Sequence, residues 1–215
     1  MSAQVLAGHA LTGHALAAAG GSQSLWLVSR GSGLILLVLF TAVVVLGVST
    51  RTGATTRRWP RFAVAELHRT LSLFAVALLV LHVATAILDP YVTIRPIAAI
   101  APFTSRYETL AIGAGTLAVD LAGAVLITSL VRGRLGLRAW RAVHYLAYLA
   151  WPFAFLHAIR AASYDQHLWF VALAEWGSLA AVATAVMVRL LHREWPGPAT
   201  PAEGITRRYE GARHG

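Results

Sequence analysis

HRTLSLFAVALLVLH (residues 68–82) and HYLAYLAWPFAFLH (residues 144–157) each begin and end on histidine. The first contains one charged residue, Arg69, and the second contains none. Read as helices at 1.5 Å per residue, both stretches run about 20 Å, well inside the roughly 30 Å hydrocarbon core of a bilayer. Each therefore reads as the middle of a membrane span with one histidine toward each face.

Outward from these stretches the chain offers three uncharged runs, Gly31–Thr50, Thr70–Leu88 and Ala142–Ile159. Two further apolar runs hold one acid each: Thr109–Val131 around Asp120 and His167–Val188 around Glu175. All approach the roughly 20 residues a helix needs to cross a bilayer. The expected fold is an all-α integral membrane protein, a bundle of five transmembrane helices at about 25–49, 61–88, 109–131, 139–160 and 167–191. A flexible or surface tail over 1–24 precedes this 25–191 domain, and a flexible cytoplasmic tail over 192–215 follows it. Of 215 residues, 57% are hydrophobic and only 13% charged, which excludes an ordinary soluble domain. Nor do the remaining residues suffice for a separate soluble catalytic domain of about 100 residues.

The net charge of +9 comes from 18 arginines and no lysine, and its placement follows the spans. Fourteen arginines fall at the 51–69 and 132–141 connections and after the fifth span, whereas Arg30, Arg95, Arg106 and Arg160 fall on the other side. By the positive-inside rule the N-terminus is outside and the C-terminus cytoplasmic, in a multi-pass protein of the cell membrane. Positive charge distributed this way speaks for topology and not for a nucleic-acid partner. The absence of cysteine excludes disulfides, iron–sulfur clusters and thiolate-held metals.

Nine histidines are present, and four lie well inside spans: His68, His82, His144 and His157. In this topology spans two and four run the same way, so His68 pairs in level with His144 near the inner face. His82 pairs likewise with His157 near the outer face. Convergence of all four on one metal ion is ruled out, since first-shell ligands must lie within a few Å. Ionisable residues inside a membrane are functional candidates by default, although single histidines also serve helix packing. Two stacked hemes, each held by one histidine from each helix, fit the matched depths best. On span two, 14 residues return to within about 40° of the starting direction, whereas 13 residues on span four fall about 140° short of full turns. Pro152 predicts an irregularity near residues 148–153 that relieves this mismatch. The remaining histidines, at 9, 14, 167, 192 and 214, read as tail or interfacial residues.

With these residues in view, the chain resembles the ferric reductase-like transmembrane family, which includes the membrane portions of NADPH oxidases and metalloreductases and the heme subunit of methionine sulfoxide reductase. The two histidine-bounded stretches carry the resemblance, supported by SRGSGL near residue 30, LHVATAILDP and RAWRAVHYLAYLAWP. It covers roughly residues 25–190 and is similar to actinobacterial-type stand-alone members. The resemblance implies two b-type hemes, electrons arriving from a flavin on the cytoplasmic side, and exit through the outer heme. Many relatives carry a sixth span before the histidine-bearing helices; here one span precedes them. No phosphate-binding glycine loop follows a strand, so flavin is expected only through a partner chain. The donor would be a separate flavoprotein or a membrane quinone, and the acceptor an extracytoplasmic flavoprotein or enzyme, or ferric iron.

Supporting residues are less decisive. Arg69, Arg138 and Arg141 on the inner side and Arg30 on the outer are candidate partners for heme propionates, and equally candidate anchors of the spans. Asp120, midway along span three, could relay a proton or orient a ligand histidine, or serve as a neutral, hydrogen-bonded structural acid. Glu175 reads as solvated near a span end. Tyr148, Trp151 and Phe155 are placed either to flank porphyrins or to fill the core. The proline-rich outer loop 89–108 reads as a lid. No catalytic side chain emerges. The expectation is the electron-transfer subunit of an oxidoreductase, a diheme cytochrome b. The competing readings are a heme-free His/Asp-based transporter or proton channel, and an accessory membrane scaffold.

Overall fold

A computed structural model describes residues 3–52, 60–90, 92–162 and 165–192, with side chains from residue 23 on except 50–52, 61 and 192. The segment expected as a C-terminal tail lies, beyond residue 192, outside the described residues. Six α-helices follow one another: α1 Ala3–Thr52, α2 Arg61–Leu88, α3 Thr109–Leu130, α4 Arg132–His144, α5 Ala147–Ala161 and α6 Trp169–His192. A 3₁₀ turn, Pro96–Ala99, lies in the loop before α3. There is no strand among the described residues.

Four stretches are long and apolar enough to cross a membrane: Gln23–Ser49, Phe62–Leu88, Thr109–Leu130 and Trp169–Leu191. The pair α4–α5, bent by 42°, is long and apolar enough only when taken together, and counted as one span it makes a fifth. In lipid every backbone polar group must be satisfied within the chain, which makes helix the only choice for these segments. Their hydroxyls are satisfied the same way. Ser49, Ser72, Thr85, Thr128 and Thr184 each donate to the carbonyl four residues back. Phe62, Phe74, Leu88, Leu130, Leu173 and Trp176 stand exposed on the outside, as lipid-facing side chains do.

The helices pack as two hairpins. The α1–α2 pair and the α3–α5 pair are each closely packed, and α1 joins them by also touching α5. Helix α6 packs chiefly on α1. The core between α1, α5 and α6 holds Val44, Trp151 and Val182, with Phe40, Tyr148 and Phe155 around them. Within it the Trp151 indole Nε1 donates to Thr41 Oγ1 at 2.9 Å. The indole N–H has no water to turn to at this depth. Thr41→Val is therefore expected to destabilise the fold by about 1–3 kcal/mol, the cost of an unmet buried donor. Thermal unfolding in detergent would read it as a lower midpoint, and adding Trp151→Phe to Thr41→Val should recover part of the loss.

The α4–α5 junction carries the irregularity expected from Pro152, but a turn earlier. Helix α5 continues through Pro152, while the break falls at Tyr145 and Leu146. There Leu146 N bonds Val143 O, Tyr148 N bonds Tyr145 O and Leu149 N bonds Leu146 O, all three-residue links of a 3₁₀ turn. Such a turn advances 120° and about 2.0 Å per residue instead of 100° and 1.5 Å. Over about four residues it adds some 80° of rotation and 2 Å of rise. Thirteen residues then nearly reproduce the angle and height of the fourteen between His68 and His82. A second break lies at Gly136, whose φ of 73° is left-handed. It separates the exposed, arginine-bearing start of α4 from the part that runs on into the span.

Candidate functional site

Between the two hairpins lies a cavity of about 1440 Å³, lined by side chains of every helix and of the 3₁₀ loop. It exceeds the roughly 300–1,000 Å³ of a single small-molecule site. All four span histidines line it. His68 on α2 faces His144 at the end of α4, with ring centres 6.5 Å apart and planes at 65°. His82 on α2 faces His157 on α5, with ring centres 6.0 Å apart and planes at 76°. The pairing read from matched depths in the sequence is the pairing in space. Along α2 the two pairs stand about 20 Å apart.

Three of the four rings are fixed by one repeated device. Nδ1 of His68 donates to Val43 O at 3.0 Å, Nδ1 of His82 to Ser29 O at 2.9 Å and Nδ1 of His157 to Ala111 O at 2.8 Å. A carbonyl can only accept, so the proton sits on Nδ1 and the neutral ring keeps its lone pair at Nε2. A backbone acceptor on Nδ1 is the arrangement that sets tautomer and orientation in metal-ligating histidines. Four residues beyond each accepting carbonyl stands a glycine: Gly47, Gly33 and Gly115. A Cβ on Gly33 would lie 2.9 Å from the His82 ring, one on Gly115 2.8 Å from the His157 ring, and one on Gly47 3.3 Å from the His68 ring. The rings rest on bare backbone. Nothing in the histidine spacing announced these glycines, yet a signal exists: Gly33 and Gly47 are 14 apart, as are His68 and His82. His144 differs. Trp140 stacks beside it at 4.9 Å between ring centres, and Trp140 Nε1 bonds Ser129 Oγ on α3.

Other sequence candidates divide. Arg30, Arg69 and Arg141 line the cavity, whereas Arg138 is exposed on α4 and is not in its lining. Arg30 is engaged at the His82–His157 end, bonding Asp165 Oδ2 at 2.7 Å and Ala161 O at 3.0 Å beneath the Trp26 ring. Arg69 is paired with Glu66 at 3.6 Å in an exposed i,i+3 contact. Asp120 is exposed on α3 and does not line the cavity, so it does not meet a span histidine as an orienting acceptor. Glu175 reverses its solvated reading: it is 2% exposed and lines the cavity. Tyr148 lines the cavity with its hydroxyl held by Arg189 of α6, while Trp151 and Phe155 stack on each other in the core. Residues Val92, Ile94, Ala98 and Ala99 of the 89–108 loop close one end of the cavity, and Thr116 Oγ1 pins the loop through Ala98 O at 2.5 Å. Among the described residues no group of three or more His, Cys, Asp or Glu converges; the site consists of two histidine pairs.

Four or five apolar spans around a cavity lined by two facing histidine pairs define a multi-pass membrane protein. The family model for the ferric reductase like transmembrane component matches residues 32–156, and the chain belongs to that family. The match takes in His68, His82 and His144 and ends one residue before His157. No curated protein and no solved structure matches the chain. Membership supports a membrane electron-transfer function.

Proposed function

We propose that the protein is a diheme b-type membrane cytochrome. His68 and His144 ligate one heme and His82 and His157 the other. Electrons enter from a flavin or quinone donor on the cytoplasmic side and leave to an acceptor on the outer face. The observation that carries this reading is the ring separation within each pair. An iron bound between two imidazole nitrogens at about 2 Å from each would need ring centres about 6 Å apart, and the pairs stand at 6.0 and 6.5 Å. The Nδ1–carbonyl bonds leave Nε2 as the ligating atom on three rings, and the bare glycine backbones open room beside them. Domains of this family usually bind heme.

Heme supplies the one-electron carrier; the chain supplies the rest. Helix α2 sets the separation of the two sites through its 14-residue spacing, and the 3₁₀ turn at Tyr145–Leu146 brings the second helix into register. The carbonyls of Ser29, Val43 and Ala111 orient the rings. Arg30 at one end and Arg69 and Arg141 at the other offer cations to propionate carboxylates, in keeping with the bidentate preference of guanidinium. The 89–108 loop keeps bulk water from the upper pair, and an acceptor meets the protein on that loop's side. Depths matched in pairs, without a file of polar groups between them, argue against a proton channel.

Protein purified in detergent should be red and contain about two b hemes per chain by pyridine hemochrome. Its oxidised and dithionite-reduced spectra should be those of six-coordinate, low-spin iron. A colourless protein that takes up no added hemin would overturn the reading.

A further inference from the structure

Among the described residues, Glu175 is the one buried acid of the span region with a carboxylate oxygen that has no hydrogen-bond partner in the protein. It is 2% exposed, and its Oε1 makes no hydrogen bond with any described residue. The ion pairs found among the described residues, Arg30–Asp165 and Arg69–Glu66, do not include it. It shares the inner face of α6 with Ser178 and Val182, which are 5% and 9% exposed. Its height follows from the core. Trp151 of α5 and Val182 of α6 meet in one cluster, and Ala158 and Glu175 lie seven residues from them, forward along α5 and back along antiparallel α6. Both are thus displaced about 10 Å the same way, which sets Glu175 at the height of Ala158 and His157. Ala158 and Glu175 both line the cavity.

A carboxyl group out of water either stays protonated or ionises opposite a positive charge, and among the described residues no basic side chain forms an ion pair with Glu175 to supply one. The occupant of the cavity can. A ferric iron in a dianionic porphyrin, ligated by two neutral imidazoles, bears one net positive charge, and reduction removes it. We propose that Glu175 is the anionic counterpart of the ferric heme held by His82 and His157, and that it lowers the reduction potential of that site below what histidine ligation alone would set. This rests on the two-heme reading above. Charge interaction weakens with distance, and the His68–His144 site is about 20 Å further along the bundle, so the effect belongs to one heme. It makes the upper site a ready donor to an acceptor outside. Glu175 is a positioning charge and not a ligand.

The test is a potentiometric titration of the heme-loaded protein with Glu175→Gln and Glu175→Asp beside it, followed by optical spectra and heme content. Gln keeps the shape and removes the charge; Asp keeps the charge. The expected result is two hemes in both variants, with one of the two potentials raised in Glu175→Gln and the other unmoved, and with the raised one returned toward wild type in Glu175→Asp. Unmoved potentials in Glu175→Gln, or equal shifts at both hemes, would overturn the proposal. If Glu175→Gln loses one heme while Glu175→Asp keeps it, the charge itself retains the ferric porphyrin, in support. Equal loss from both variants would mark a packing role and overturn it. Wild-type protein without heme is a separate failure, that of the two-heme reading itself, and is recognised from the wild-type spectrum before any variant is compared.

Discussion

His157→Ala is expected to halve the heme content, from about two per chain to about one, and His82→Ala to remove the same heme. The remaining spectrum and potential should be identical in these two variants. His68→Ala and His144→Ala should form a second matching pair that lacks the other heme. The expectation follows from geometry. The members of each pair face each other at 6.0 or 6.5 Å between ring centres, while about 20 Å separates the pairs along α2. Each ring also has its own support: His82 is tied to Ser29 O and His157 to Ala111 O, on different hairpins. Removing one ring leaves the lower pair's tether to Val43 O untouched. Pyridine hemochrome quantification with a redox titration of each variant reads the result. Loss of both hemes from a well-folded single variant would contradict independent sites, and equal heme in all four would sink the ligand assignment.

Much of this architecture was legible because a membrane imposes few rules and imposes them strongly. Apolar runs locate the second, third and last spans to within about two residues, since burying arginine or aspartate in lipid is costly at any position, whereas the first helix begins at Ala3, inside the stretch expected as a loose tail, and the fourth span's helix begins at Arg132 instead of 139. The histidine pairing was legible for a related reason: matched spacings on two helices running the same way can be compared without side-chain detail. What failed needed knowledge of faces. The sequence places Asp120 midway along a span, but only the packing of α3 on α5 shows that it looks away from the cavity. Glu175 lies near a span end by count, yet it is buried on the face of α6 that lines the cavity while its neighbours Leu173 and Trp176 stand exposed. Arg138 and Arg141 are one turn apart, yet only Arg141 reaches the cavity. The misfit between 13 and 14 residues is visible in the sequence and points to Pro152, whereas the structure resolves it by overwinding at Tyr145–Leu146, a choice the proline does not dictate.

The glycines beneath the rings give the other large effect, and it should be graded. Gly115→Ala and Gly33→Ala each introduce a Cβ closer to a histidine ring than real Cβ contacts allow, at 2.8 Å from His157 and 2.9 Å from His82. Neither ring has a free direction in which to yield. Its Nδ1 is held by the carbonyl one turn before the glycine, and its far side faces the partner histidine. A shift of even a few tenths of an ångström either breaks the carbonyl bond or moves Nε2 off the line between the two rings. Both substitutions are therefore expected to cost most of the upper heme, although alanine favours the helix by about 1 kcal/mol over glycine. Gly47→Ala is milder, because its Cβ would stand 3.3 Å from the His68 ring, a distance the ring can accommodate by a small tilt. That variant should keep both hemes with a broadened or shifted spectrum from the lower one. Gly123→Ala, with nothing within 4 Å of the added carbon, should load fully and melt no lower than wild type. Heme per chain measured across the four variants should rank Gly115 and Gly33 below Gly47, and Gly47 below Gly123. A flat series would mean that the rings do not rest on these backbones in the loaded protein. A loss at Gly123 equal to that at Gly115 would trace the effect to helix packing and leave the glycine cradles without a role in holding the rings.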